Sequence, residues 1–329
     1  MKTTVFATIG TSKITGKFLQ AAKTYPEFWL GAVYSRNLKR AEEFAAVHGA
    51  EKFYDSLDEL AADPEIEAVY VASPNHMHCE HARKLLNAGK HVLCEKSIAS
   101  NKKEAEEMIE TARRNNRILL EAVRTVFDPG TEIIENNLDR IGTIRKATFT
   151  YCQYSSRYDS LKKGKDHNIF RRECSAGALM DIGVYSVHIL LRLLGKPDRI
   201  KGSSVMLRGD IDGAGIILAE YPDKIAEVSY SKITDSSLPN EIQGENGVLR
   251  FWGNSNSPEN VQIIFRDGKE EFLYHRETDN DMKYEVGHFL KMICGEESAE
   301  PHLQRSMDSM WMMDEIRRQC GIIFPADKL

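Results

Sequence analysis

The chain has 329 residues, 42% hydrophobic and 28% charged, with a formal net charge of −5. At roughly 150 residues per domain, that length suits two domains that each bury a core. The acidic balance argues against a dedicated nucleic-acid or anionic-membrane surface, and no run approaches the roughly 18 apolar residues of a membrane span.

Thr3–Ile9 is the first strand candidate, and Met1–Phe6 reads straight into it rather than into a signal peptide. Gly10 breaks the strand, and a helix is expected around Lys17–Lys23. Trp29–Tyr34 is a second strand, and Leu38–His48 a second helix with Ala41, Phe44, Ala45 and His48 at helical spacing. Ala68–Ala72 and His91–Cys94 read as buried strands separated by a helix over Cys79–Ala88 that Gly89 ends. A helix over Lys102–Asn115, N-capped by Ser100, leads to a last strand, Ile118–Ala122. Strands apolar throughout, alternating with helices, predict a parallel sheet covered on both faces.

After Ala122 the pattern changes. Thr143–Tyr154 alternates polar and apolar residues. Short runs follow at Ile200–Leu207, Gly215–Tyr221, Ile225–Ser231, Glu241–Gly244, Gly247–Phe251, Val261–Arg266 and Glu270–Tyr274. Turn residues such as Asp212-Gly213 and Asp267-Gly268 separate them, which predicts an antiparallel meander. Helical spacing returns only at Ala178–Leu194, Met282–Cys294 and Arg305–Gln319. Lys162-Lys163-Gly164-Lys165 reads as a solvated loop, and Met307, Met310, Trp311 and Met313 as core packing. The expectation is an α/β protein: a Rossmann dinucleotide-binding domain over 1–122, then an α+β domain over 123–329 with a large, mostly antiparallel open sheet. The six cysteines are scattered without a Cys-x-x-Cys pair, so reduced thiols in a cytoplasm are expected.

Gly10-Thr11-Ser12-Lys13-Ile14-Thr15 opens the first βαβ unit, where a dinucleotide fold places a pyrophosphate against helix N–H groups. Of the three glycines of G-x-G-x-x-G only the first is present, so a strand–turn–helix connection without a ligand stays open. The second strand ends at Tyr34-Ser35-Arg36, with Arg40 one helical turn later. NAD sites commonly carry a carboxylate there against the ribose 2′-hydroxyl. Two guanidiniums and a hydroxyl suit a 2′-phosphate, so NADP(H) is expected over NAD(H). The alternative is that Arg36 and Arg40 pair with Glu42 or Glu43.

Lys96 follows a buried strand at the carboxyl edge of the first sheet. Hydride transfer to a carbonyl builds negative charge on oxygen, which a desolvated ammonium stabilises; a surface lysine paired with Glu95 is the alternative. Asp181, Tyr185 and His188 stand at i, i+4 and i+7 on one helix face, where a carboxylate and a phenol are costly to bury unless hydrogen-bonded. His188 is read as a core histidine. Glu121 and Arg124 either touch cofactor or substrate or pair with each other. His76, His78, Cys79 and His81 invite a metal, but no second ligand cluster follows and no metal site is assigned.

Val69–Lys96 (VYVASPNHMHCEHARKLLNAGKHVLCEK), with Gly10–Thr15 and Gly177–His188, resembles the Gfo/Idh/MocA oxidoreductases over essentially the whole chain. The likeness is greatest to the branch of dimeric dihydrodiol dehydrogenase and glucose–fructose oxidoreductase. The resemblance implies that one face of the second sheet supports a substrate pocket and the other commonly forms a dimer interface. It implies that Ser73, Pro74, Asn75 and His78 line the cofactor near the nicotinamide and its ribose. Glu95 and Lys96 match the family's E-K-P motif, with Ser97 in place of the proline, and Lys96 stands beside the nicotinamide ribose and the substrate oxygen. Asp181 and Tyr185 match D-x-G-x-[HY]. Tyr185 is then general acid in reduction and base in oxidation, its phenol pKa lowered by Lys96, and Asp181 orients the substrate or Lys96. The expected activity is NAD(P)-dependent hydride transfer, NADP(H) favoured, on a sugar, polyol or diol, by a homo-oligomer (dimer or tetramer). The alternatives are a non-catalytic NADP(H)-sensing protein and an enzyme that removes a group through transient oxidation.

Overall fold

A computed structural model of the chain describes residues 3–278 and 280–328, so Met1 and Lys2 of the expected N-terminal run lie outside the described residues. The chain forms two units: Met1–Ala122 with Asn280–Met307, and Val123–Asp279 with Asp308–Leu329.

The first unit alternates β1 (Thr4–Ile9), α1 (Lys13–Ala22), β2 (Phe28–Tyr34), α2 (Leu38–His48), β3 (Lys52–Tyr54), α3 (Leu57–Ala62), β4 (Ala68–Val71), α4 (His78–Asn87), β5 (His91–Glu95), α5 (Lys102–Arg114) and β6 (Leu119–Ala122). The strands form one sheet of order β3-β2-β1-β4-β5-β6, parallel throughout. The apolar strands are buried as their composition requires: Phe6, Tyr70, Val92 and Leu93 have no exposed surface. Two local expectations are corrected. α1 begins at Lys13, four residues before the apolar spacing suggests. The N-cap of α5 is Asn101, not Ser100: the Asn101 side chain accepts the Glu104 N–H at 2.9 Å, and Ser100 N–H donates to the Glu104 carboxylate at 2.8 Å.

The second unit holds α6 (Pro129–Glu135), β7 (Ile144–Cys152), α7 (Ser156–Lys162) and α8 (Val184–Leu194). Its other strands are β8 (Arg199–Leu207), β9 (Ile211–Glu220), β10 (Ile225–Ser231), β11 (Asn240–Gly244), β12 (Gly247–Phe251), β13 (Asn260–Phe265) and β14 (Glu270–His275). They form an eight-stranded sheet of order β14-β13-β12-β11-β7-β10-β9-β8. Every pairing is antiparallel except β7 with β10, because β7 inserts at the middle of what otherwise reads as a meander. α6 and α7 are short helices that the sequence reading leaves as loop, and Lys162 ends α7 paired with Asp159 at 2.8 Å. Asp212-Gly213 is not a turn. Both lie inside β9, and the reversal falls at Gly209 and Asp210, where φ is +89° and +56°. Arg172–Leu194 is long and apolar enough by length and composition to cross a membrane, against the expectation that no run approaches this. Of its most apolar window, 89% is buried within the protein, so its apolar surface serves the core.

α9 (Met282–Ile293) returns to the first unit, and α10 (Glu300–Cys320) follows. α9 buries Val286, Phe289 and Leu290. Phe289 lies 6.0 Å from the Phe6 ring, and the Tyr25 hydroxyl donates to the Lys283 carbonyl at 2.7 Å. A division of the chain at Ala122 alone places this helix with the second domain.

Candidate active site

The strand register lines up the carboxyl ends of the first sheet. Ile9 pairs with Tyr34 on one side and Val71 on the other, Val71 with Cys94, and Glu95 with Ala122. Gly10, Ser35, Ser73 and Lys96, each one or two residues beyond a strand end, therefore emerge along one edge. β1 and β4 are neighbours there while the chain runs outward in both directions, the switch point at which open α/β sheets bind ligands.

Gly10 has φ +103°, and a Cβ on it would lie 2.7 Å from the Ala72 carbonyl oxygen, so the position requires glycine. Ser12 is the N-cap of α1, yet no side chain caps this helix; the Ser12 hydroxyl stands 3.3 Å from that of Thr15. The first-turn N–H groups, with Lys13 and Ile14 among them, and the positive end of the helix dipole point past Thr11 and Ser12. The Ser73 hydroxyl, buried without a hydrogen-bond partner among the described residues, is a further polar group that a dinucleotide here would satisfy. After β2, Asn37 caps α2 by accepting the Arg40 N–H at 3.0 Å. The side chains of Arg36 and Arg40 are exposed, and among the described residues neither has an ion pair, whereas Glu43 pairs with Lys39 at 4.0 Å. These residues fit a dinucleotide with an added phosphate.

The turn that carries Lys96 is braced from beneath. Lys96 is half-buried, and its peptide bond to Ser97 is cis. His78 is fully buried, with Nδ1 2.9 Å from the Ser97 carbonyl oxygen and Nε2 2.8 Å from that of Ser73. A neutral ring donates from only one nitrogen, and burial pushes this imidazole below its ordinary pKa. His78 thus lies between the Ser73 turn and the Lys96 turn and donates to one of their two carbonyls, where the resemblance implies that it lines the cofactor; Pro74 and Asn75, beside Ser73, are half-buried. The buried Glu121 carboxylate accepts the Ile98 N–H at 2.9 Å and the Ser306 hydroxyl at 2.6 Å, a bracing role that is neither the ligand contact nor the Arg124 pair that the sequence offers for it. Glu95 is buried too and accepts a hydrogen bond from the Tyr70 hydroxyl; the Tyr70 ring stacks on Phe18 at 3.8 Å.

In the second unit the buried Asp212 carboxylate accepts the Leu179 N–H at 2.7 Å. Gly177, at φ +108°, must be glycine because a Cβ there would overlap that carboxylate. The chain then makes a π-helical turn, Leu179–Gly183, before α8. Such turns often occur at functional sites. Gly183 packs on the Tyr230 ring, where a Cβ would lie 3.1 Å away. Asp181, in the π turn, is ion-paired with the Lys232 ammonium; the side chains are 29% and 9% exposed. Nothing in the sequence singles out Lys232 beyond its place after β10. Tyr185 is buried, its ring 5.8 Å from that of Tyr151, with the Arg124 guanidinium 5.6 Å from its centroid. His188 is buried on α8. Among the described residues, no group of three or more His, Cys, Asp or Glu side chains is arranged to hold a metal ion.

A parallel sheet of order 3-2-1-4-5-6 with a glycine turn and an uncapped helix at its switch point defines a dinucleotide-binding protein. Residues 5–123 match the family described as an oxidoreductase family with an NAD-binding Rossmann fold, and residues 132–250 match the Gfo/Idh/MocA C-terminal domain. The chain belongs to the Gfo/Idh/MocA oxidoreductase family. It is 43% identical over 325 residues to scyllo-inositol 2-dehydrogenase (NADP(+)) IolU of Bacillus subtilis (strain 168), covering 98% of this chain and 99% of that protein. It is 29% identical to trans-1,2-dihydrobenzene-1,2-diol dehydrogenase of Danio rerio, covering 96% of each. In fold it matches KijD10, a 3-ketoreductase from Actinomadura kijaniata solved in complex with NADP and TDP-benzene, with a TM-score of 0.85, 22% identity and coverage of 97% and 98%.

Proposed function

We propose that this chain is an NADP(H)-dependent oxidoreductase that moves hydride between the nicotinamide and a carbinol or carbonyl carbon of a polyol, sugar or diol. The observation that carries the reading is the carboxyl edge of the first sheet, where the Gly10 turn, Arg36 and Arg40 without ion pairs among the described residues, the Ser73 hydroxyl without a hydrogen-bond partner among them, and Lys96 follow aligned strand ends. The activity of the 43% identical relative, scyllo-inositol 2-dehydrogenase (NADP(+)), supports it.

Gly10, Thr11, Ser12, Lys13 and Ile14 hold the pyrophosphate through backbone N–H groups and the helix dipole. Ser35, Arg36 and Arg40 hold the 2′-phosphate, and Ser73, Pro74, Asn75 and Glu95 shape the nicotinamide end, with His78 acting beneath them. When bound, the nicotinamide supplies the hydride acceptor or donor. In oxidation the Tyr185 phenolate takes the substrate hydroxyl proton as the C–H hydride departs; in reduction the phenol returns a proton to the forming alkoxide. The Lys96 ammonium offsets charge on that oxygen, and Asp181 orients the substrate. Residues 1–122 bind nucleotide, and 123–329 bind substrate and self-associate as a dimer or tetramer. Val205, Met206, Ile216, Leu218 and Ile225, exposed on β8 to β10, support that last assignment. A cytoplasmic location accords with six free cysteines.

The test is a melting-temperature comparison with NADPH and NADH, followed by an absorbance screen of polyols, sugars and diols with NADP+. A larger shift with NADPH and turnover of at least one polyhydroxylated class are expected. Equal shifts would overturn the cofactor assignment, and nucleotide binding without turnover on any class would leave a sensor.

A further inference from the structure

We propose that Lys232 is a positioning residue for substrate recognition: its ion pair holds the Asp181 carboxylate as a fixed acceptor for a hydroxyl of a polyhydroxylated substrate. This deepens the reading above and rests on its assignment of Asp181 to the substrate.

The Lys232 backbone is hydrogen-bonded at both its N–H and its carbonyl. Its N–H donates to the Gly213 carbonyl at 2.8 Å, and its carbonyl accepts the Ser155 N–H at 2.9 Å. One residue earlier, the Ser231 hydroxyl accepts the Ile233 and Thr234 N–H groups at 3.2 and 2.9 Å. The same turn is joined to the segment after β7: Gln153 N–H donates to the Ser231 carbonyl at 2.8 Å, and Tyr154 N–H to the Asp235 carboxylate at 2.8 Å. With its side chain only 9% exposed, Lys232 differs from a surface lysine, whose ion pairs contribute little.

An ammonium 9% exposed is costly to bury alone, and the carboxylate it meets keeps three times that exposure. The asymmetry is informative. The lysine is the buried member and the aspartate the one turned outward, so the pair presents a carboxylate whose direction is set from behind. An ionised carboxylate only accepts hydrogen bonds, which suits hydroxyl donors and rejects a second acceptor. The placement of Asp181 in a π turn beside Gly183, which packs on Tyr230 of β10, brings the turn close to the strand that Lys232 immediately follows.

The experiment measures KM and kcat for a cyclic polyol in wild type, Lys232→Met, Lys232→Arg, Asp181→Asn and the Asp181→Asn/Lys232→Met double variant, with NADPH-induced melting shifts as a control. Lys232→Met is expected to raise KM roughly tenfold to hundredfold, with a smaller fall in kcat, and Lys232→Arg to recover most of the loss. The double variant is expected to match Asp181→Asn alone, because the lysine acts only through the carboxylate. A further loss in the double variant, or a fall in kcat with KM unchanged, would overturn the proposal. Should Lys232→Met fail to fold, the comparison of Asp181→Asn with the double variant, in which neither charge remains, decides it alone. An Asp181→Asn enzyme with wild-type KM would instead refute the substrate role of Asp181, and absent NADPH stabilisation would refute the cofactor reading.

Discussion

Replacing Asp212 by asparagine isolates one buried carboxyl at the start of the helical segment that bears Asp181 and Tyr185. The group is 1% exposed and accepts the Leu179 N–H at 2.7 Å. Burial pushes its pKa up to about 6 from an ordinary 3.8 and outweighs the opposing hydrogen bonds from the Leu179, Asp212 and Ala178 N–H groups and the distant Arg317 charge. The native state therefore binds a proton that the unfolded chain releases between those two values. Stability from this group is fully present below about pH 4 and is lost as pH rises through about 6. At 1.36 kcal/mol per pKa unit the gap corresponds to about 3 kcal/mol. Asparagine keeps the acceptor oxygen and does not titrate, so the stability advantage of wild type over Asp212→Asn should shrink by about that amount from acid to neutral pH.

Urea unfolding followed by tryptophan fluorescence reads this out. Trp252 and Trp311 belong to the second unit, and Trp29, in the first, is 52% exposed, so a Trp29→Phe background confines the signal to the unit that holds Asp212. A pH-independent difference would refute the raised pKa. A difference that grows with pH would show that the N–H donors and the helix dipole outweigh burial and hold the carboxylate ionised.

Gly10→Ala should destabilise the first unit by about 1–3 kcal/mol from the left-handed backbone alone and weaken NADPH binding at least tenfold, because the new Cβ meets the Ala72 carbonyl; urea midpoints and NADPH titration check both, and unchanged binding would remove the Gly10 turn from the cofactor site. Arg36→Ala/Arg40→Ala should cost roughly tenfold or more in NADPH affinity and leave NADH affinity nearly constant, since two exposed guanidiniums without ion pairs among the described residues have chiefly the extra phosphate to lose. Lys96→Met should abolish turnover while keeping the NADPH melting shift, and Tyr185→Phe should lower kcat by on the order of a hundredfold; a Phe variant with full activity would reduce the phenol to packing.

How much of this was legible in the chain depended on whether the determining interaction was local. β1, β2, β4 and β5 could be read because strands buried on both faces must be apolar throughout, and Gly10 because its φ and the neighbouring strand demand glycine. β7 reads correctly as a strand, but its place beside β10, parallel in an antiparallel sheet, is set by pairing partners some 80 residues away that no local period records. α9 likewise reads correctly as a helix, but its grouping with the first unit is not local information, since its apolar stripe would suit either core. The site residues show the rule most sharply. Asp212-Gly213 carries every local mark of a turn, yet the carboxylate is turned inward because the N–H of Leu179, 33 residues earlier, needs an acceptor. Asp181 was legible as a polar intrusion on an apolar helix, but what it does depends on Lys232, 51 residues on. His78 belongs to a readable motif, and its ring faces two backbone carbonyls, one of which it donates to, that no motif states. A titratable side chain advertises its chemistry in the sequence, but the groups that face it decide whether that chemistry is offered to a ligand or used to hold the fold. Here Lys232 and Glu121 stand behind residues that motif reading selects, His78 is a motif residue whose ring faces the backbone, and substitutions among the three should alter the aim of the site rather than its reactive groups.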